Sequence, residues 1–422
     1  MPIQPASAPT VERDALIAAY ARVRAASESI CAPLATDDYQ IQSIVETSPP
    51  KWHLAHVTWF FETFVLPRLR KDYRPYRPGF EYLFNSYYET VGPMHPRPQR
   101  GLLSRPTVAE VLSYRAYVDE WMRSLMAEIS ERHWDDLAFR VALGLHHEQQ
   151  HQELLFMDIK HNLSVNPLNP VYRSDLQIPE GETRPMGWAE CLGGIAEIGH
   201  AGDGFAFDNE TPRHRVLLRE HRLADRFVTN GEFLEFIRDG AYDNPALWLA
   251  DGWYRKRAEG WAHPLYWRRR DNVWFQFTLG GERALNPHEP VCHLNFYEAD
   301  AYARWAGKRL PLEEELEVFL ATREPTGNFA DSDYLHPTPA GGAGQWCGDL
   351  WAWTASPYGP YPGFKPLAGS MGEYNGKFMA NQMALKGGCC ATPAGHVRAT
   401  YRNFFYPHDR WAFTGLRLAE DA

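Results

Sequence analysis

The run His147-Glu148-Gln149-Gln150-His151, with Trp52-His53-Leu54-Ala55-His56 far upstream, carries the side chains best suited to chemistry. Residues four apart lie on one face of a helix, so His147 and His151 can present two imidazoles to one metal ion. A third ligand must then come from another element, and both His53 and His56 are candidates. The run also fits the H-E-x-x-H pattern of zinc peptidases, in which the glutamate is the base. A polar helix face that merely contains two histidines is the bland alternative. Leu137, Val141, Leu145, Leu154 and Leu155 recur near the 3.6-residue period and predict a helix over 135–161.

Other helices must hold this one in place. Thr10 precedes a run with Ala15, Leu16, Ala19 and Val23 on one side. Ser48-Pro49-Pro50 reads as a helix start, with serine as cap and proline in the first turn. The helix it opens carries His53, His56, Trp59, Phe60 and Phe64. Thr107 and Glu110 form a capping box that opens a helix to about residue 130. Four helices with short-to-medium connections predict a bundle, and bundles build metal sites from facing side chains. The connection over 67–106 is long and rich in aromatics, proline and arginine, as functional loops often are.

Asn-Pro and Pro signals place a linker over 166–185, which divides residues 1–165 from 186–422. Beyond it the helical period fades. Short strand-like runs, many Gly and Trp residues and two clear helices, over 230–239 and 297–306, remain. The expected class is α+β in two domains.

Composition narrows the function. The 422 residues are 44% hydrophobic and 23% charged, as in ordinary globular proteins, while 14% aromatic residues suit a site that packs rings around a small molecule. A net charge of −10 without a long basic run argues against nucleic acid as a partner. No apolar stretch is long enough for a membrane span, and residues 1–10 lack the apolar core of a signal peptide, so a cytoplasmic location is expected. Six cysteines are too few for a disulfide scaffold, and the Cys389-Cys390 pair is read as packing.

Several motifs then carry a resemblance. Phe205-Ala206-Phe207-Asp208-Asn209-Glu210-Thr211-Pro212, Trp305-Ala306-Gly307-Lys308-Arg309-Leu310-Pro311, Gly348-Asp349-Leu350-Trp351-Ala352-Trp353-Thr354, Lys386-Gly387-Gly388 and Gly415-Leu416-Arg417-Leu418-Ala419 resemble the formylglycine-generating enzyme (sulfatase-modifying factor) fold, a relative of C-type lectins. The N-terminal half resembles the DinB-like four-helix metal-binding family. Their fusion is the hallmark of the ergothioneine-biosynthesis sulfoxide synthases (EgtB-type). Gly388 is followed directly by Cys389-Cys390, with no cysteine five residues on, which disfavours formylglycine generation.

The resemblance implies an Fe(II)- and O2-dependent enzyme that joins a thiol sulfur to the imidazole of hercynine as a sulfoxide. It implies His56, His147 and His151 as ligands, although zinc would suit three histidines equally on geometry. Tyr87 and Tyr88 in the long loop are the implied proton or hydrogen-atom donors, Tyr87 first. Arg97 and Arg100 fall at the thiol-binding position, where guanidinium groups can hold a carboxylate. Gln150 and Asn403 could hydrogen-bond hercynine, and Phe404 and Phe405 could face its trimethylammonium. Such a site would draw on both domains. The Tyr-Tyr loop and Phe404-Phe405 favour cysteine over γ-glutamylcysteine as donor. A structural Ca2+ is compatible with the second fold. The alternatives are histidine–cysteine sulfoxide or selenoneine formation, a zinc hydrolase using Glu148, and a non-enzymatic lectin-like binding protein. Oligomeric state is open.

Overall fold

The computed structural model describes residues 12–342 and 344–422. Thr10, expected to open the first helix, lies outside the described residues. The chain divides into two compact units. The first holds the described residues up to Asn166 together with Ala201–Asp208 and Lys365–Gly376, and the second holds the remainder. Two short segments from beyond the expected linker therefore belong to the N-terminal unit, which a division in chain order does not provide.

Four long helices build the first unit: α1 (Arg13–Cys31), α2 (Pro50–Phe64), α3 (Val108–Glu128) and α4 (Trp134–Ser164). Helix α1 packs on α4, and α2 packs on both α3 and α4. Burial of Leu16, Tyr20, Val23, Ser27 and Cys31 puts the core face of α1 one turn apart throughout, while Ala15 stays exposed. The α2 side chains are buried almost all round, as expected of the central helix of a bundle. Thr107 Oγ1 accepts from Glu110 N–H (3.2 Å) and the Glu110 carboxylate accepts from Thr107 N–H (2.8 Å), completing the capping box of α3. Gly144 marks where α4 crosses α2, since a Cβ there would lie 2.6 Å from the Phe61 ring.

Ser48 is not the cap of α2. Pro49 takes that position, and the serine is engaged elsewhere. The 67–106 connection is also more ordered than a plain loop. It contains one-turn helices at Leu66–Leu69 and Phe80–Phe84 and a 3-10 turn at Arg97–Leu102.

The second unit combines short sheets with short helices. Trp188–Cys191, His221–Ala224 and Ala419–Asp421 form one antiparallel sheet, with Leu223 opposite both Ala189 and Ala419. In a four-stranded sheet, Trp351–Pro357 pairs antiparallel with Met383–Lys386 and parallel with Thr414–Gly415, and Asn403–Phe405 closes the far side. Trp351, Ala352, Trp353 and Thr354 are all buried, so this strand is central to the unit's core. Helices at Asn230–Arg238 and Phe296–Trp305 match the sequence reading. Two more, Ala250–Glu259 and Glu313–Leu320, were not legible. The former buries little besides Gly252 and so has no apolar period, and the latter opens on three glutamates.

Candidate metal centre

His56 from α2 and His147 and His151 from α4 each bring one ring nitrogen within 4.8 Å of the other two. His56 Nε2 and His147 Nε2 are 3.2 Å apart. Two nitrogens bound at right angles to an ion at about 2.1 Å would be separated by roughly 3 Å, so the pair is spaced for a shared metal. Among the described residues no second group of three or more His, Cys, Asp or Glu side chains converges in this way. His53, the rival for the α2 position, is not in the group.

The surroundings keep these imidazoles neutral. Burial pulls His56 and His151 well below the ordinary histidine range, with repulsion from neighbouring imidazoles adding to it. Burial takes His147 down to about 3, partly opposed by Glu148. Neutral rings carry the lone pairs that a metal requires. His56 Nδ1–H is directed to the Phe84 carbonyl (2.6 Å), which turns Nε2 inward, and Trp52 stacks on the ring at 4.6 Å. The long connection thus orients a histidine at its own base.

Glu148 faces away from the three histidines, toward α1 and α3. Its carboxylate accepts from Ser27 Oγ (2.7 Å), Arg115 (2.5 Å) and Arg24 (2.9 Å). Arg24 also meets Asp119 at 2.7 Å and Thr58 Oγ1 at 2.9 Å. A carboxylate committed on both oxygens to buried cations is poorly placed to be a hydrolytic base.

Residues 19–155 match the DinB superfamily, and residues 179–338 match the sulfatase-modifying factor enzyme 1-like domain. The chain is 32% identical to a hercynine oxygenase of Mycolicibacterium smegmatis, over 89% of this chain and 91% of that protein. It is 31% identical to the hercynine oxygenase of Mycobacterium tuberculosis over the same shares. Ergothioneine biosynthesis protein 1 of Schizosaccharomyces pombe is 26% identical over 51% of this chain and 28% of its own length. This chain belongs to the hercynine oxygenase family.

The residues singled out from sequence divide between the two units of this family member. Arg100 is buried, its guanidinium 3.4 Å over the Trp52 ring, and it donates to Ser48 Oγ (3.0 Å) and Ser86 Oγ (3.1 Å). No carboxylate forms an ion pair with it among the described residues, and burial holds it well below the usual arginine range. Arg97 is exposed and donates to the Glu46 carbonyl. Tyr87 and Tyr88 stack on each other at 4.6 Å, and burial raises both phenols. Gln150 accepts a hydrogen bond from Tyr374.

Tyr374 is the residue that sequence reasoning missed. Its ring lies 5.4 Å from His147, 6.4 Å from Tyr87 and 5.4 Å from Phe207. Glu373 beside it accepts from Glu89 N–H and Thr90 N–H, both at 3.0 Å, which ties this segment to the Tyr-Tyr loop. No periodic signal surrounds Tyr374, so nothing local marks it as part of the N-terminal unit. Asn403, Phe404 and Phe405 form a strand of the other unit, where Phe404 stacks on Tyr358 at 4.1 Å and Phe405 meets Trp411 at 5.5 Å. Cys389 and Cys390 are fully buried there. No described helix is long and apolar enough to cross a membrane.

Proposed function

We propose that this chain is a hercynine oxygenase that uses Fe(II), held by His56, His147 and His151, to join a thiol sulfur to the hercynine imidazole. The reaction balances as thiol plus imidazole C–H plus O2 giving a sulfoxide plus water. One oxygen atom ends on sulfur, and the other leaves with the thiol and ring hydrogens. Three neutral imidazoles leave open positions on such a metal, and its redox chemistry would supply the oxygen activation that no side chain here can. The observation that carries this reading is the convergence of three histidines in a chain similar to hercynine oxygenases over nearly its whole length.

The chain's own side chains do the rest. Arg100, buried and in no ion pair among the described residues, would take the carboxylate of the thiol substrate, with the exposed Arg97 beside it in sequence. Of the three clustered phenols, Tyr374 has its ring against His147, with Tyr87 and Tyr88 as further proton donors. Gln150, on the helix that carries His147 and His151, would recognise hercynine. Cysteine is the proposed donor in preference to γ-glutamylcysteine.

Anaerobic Fe(II) loading, then hercynine, cysteine and oxygen with mass spectrometry of the products, tests the reading. Hercynylcysteine sulfoxide is the expected product. Absence of a C–S coupled product with either thiol overturns it, and faster turnover with γ-glutamylcysteine overturns the donor assignment. Free histidine or a selenosugar as the better substrate would move the chain to a neighbouring reaction.

A further inference from the structure

His53 and Asp158 lie beside the three histidines and have no role in the mechanism so far. His53 Nδ1 is 2.8 Å from His151 Nδ1, and His53 Nε2 is 2.9 Å from Asp158 Oδ2. Both His53 and Asp158 are buried. Asp158 Oδ2 also accepts the Ser48 N–H at 2.8 Å, and the Arg100 guanidinium that donates to Ser48 Oγ attracts its charge.

These contacts permit only one proton arrangement that leaves His151 able to bind a metal. A carboxylate accepts, so His53 donates from Nε2. Its Nδ1 is then a lone pair and must accept, which puts the proton of His151 on Nδ1 and leaves Nε2 bare. If His53 donated from both nitrogens, His151 Nδ1 would have to accept, and its remaining proton would sit on Nε2, where the metal would be. The other two histidines lack such a relay. His56 is held by a carbonyl, and His147 Nδ1 is buried without a hydrogen-bond partner among the described residues.

We propose that His53 and Asp158 are positioning residues that fix the tautomer of His151 and strengthen it as a donor. The proposal rests on the three-histidine metal reading above. Neither residue belongs to the converging group of three histidines. Through Ser48, the same carboxylate is linked to Arg100, so the anion-binding arginine and the metal ligand share one anchored group.

The test measures Co(II) and Fe(II) affinity of the full-length protein by anaerobic chelator competition, with thermal melting of the apoprotein in parallel. His53→Gln keeps an acceptor toward His151 and a donor toward Asp158, and should bind metal like the wild type. His53→Leu removes both bonds and should bind about 10- to 100-fold more weakly, the usual effect of losing such a partner. Asp158→Asn keeps the shape and removes the charge, and should fall between them. A merely structural role predicts that Gln and Leu variants change together, following their melting temperatures. Equal affinities for His53→Gln and His53→Leu, or an Asp158→Asn protein with wild-type affinity, overturn the proposal. His151→Ala is the separate control. Retained stoichiometric binding in that variant would overturn the metal reading itself.

Discussion

Replacing Glu148 with glutamine decides whether the glutamate of the HEQQH run serves chemistry or packing. Burial acts to raise its carboxyl, but Arg115 and Arg24 outweigh burial and bring it down to about 2. Against an unfolded value of about 4.3, that displacement corresponds to about 3 kcal/mol. Because the folded value is depressed, this stabilisation is complete above the unfolded value and is lost as pH falls toward 2. Removing one partner of a buried ion pair costs about 3–5 kcal/mol by an independent route. Arg24 would keep Asp119 (2.7 Å) and Arg115 would keep Glu28 (3.0 Å), so the lower end of that range is expected. The assay is urea unfolding at pH 7 followed by the helical signal, with product formed per folded molecule measured alongside. The expected outcome is a helical transition destabilised by about 3 kcal/mol, with turnover of the folded fraction retained. A variant as stable as the wild type but inactive would refute the packing role and revive a catalytic glutamate.

Three further outcomes are expected. Arg100→Ala should raise KM for the thiol by roughly 10- to 100-fold, the loss of one charge-assisted contact, with hercynine KM little changed; equal shifts for both substrates would contradict the assignment. Tyr374→Phe should lower the sulfoxide share of the products more than Tyr87→Phe does, since the Tyr374 ring lies 5.4 Å from His147, and the reverse order by mass spectrometry would return the role to the Tyr-Tyr loop. Burial lowers His161 from 6.5 to about 4, with Asp158 partly opposing. Between those values the unfolded chain binds more protons, so stability falls as pH drops below 6.5. Going from pH 7 to 5 should cost about 2 kcal/mol by this group alone. Urea midpoints at the two pH values should therefore lie closer together in His161→Gln, and an unchanged difference would sink this account.

Helix period, capping signals and motif order were sufficient to read an all-helical N-terminal region followed by a strand-rich one. They also pointed to a histidine pair on one face of α4. Local pattern works there because a helical face or a capping box is defined within a few residues. The same logic failed at Ala250–Glu259 and Glu313–Leu320, where charge obscures the period, and at Ser48, whose polar groups are taken by Asp158 and Arg100 rather than by the helix it precedes.

Periodicity alone could not choose between His53 and His56. They are three residues apart on the same helix among apolar neighbours, and only the crossing of α2 over α4 sends one toward His147 and the other toward Asp158. Glu148 is likewise ambiguous until Arg24, 124 residues away in the chain, is seen to hold it. Tyr374 joins the histidines from 227 positions beyond His147, carried by a segment that packs with the helical unit. Residue types and spacing therefore set which chemistry was available. Long-range packing chose the residues that face it, because a side chain's partners are fixed by how separate elements meet and not by its neighbours in sequence.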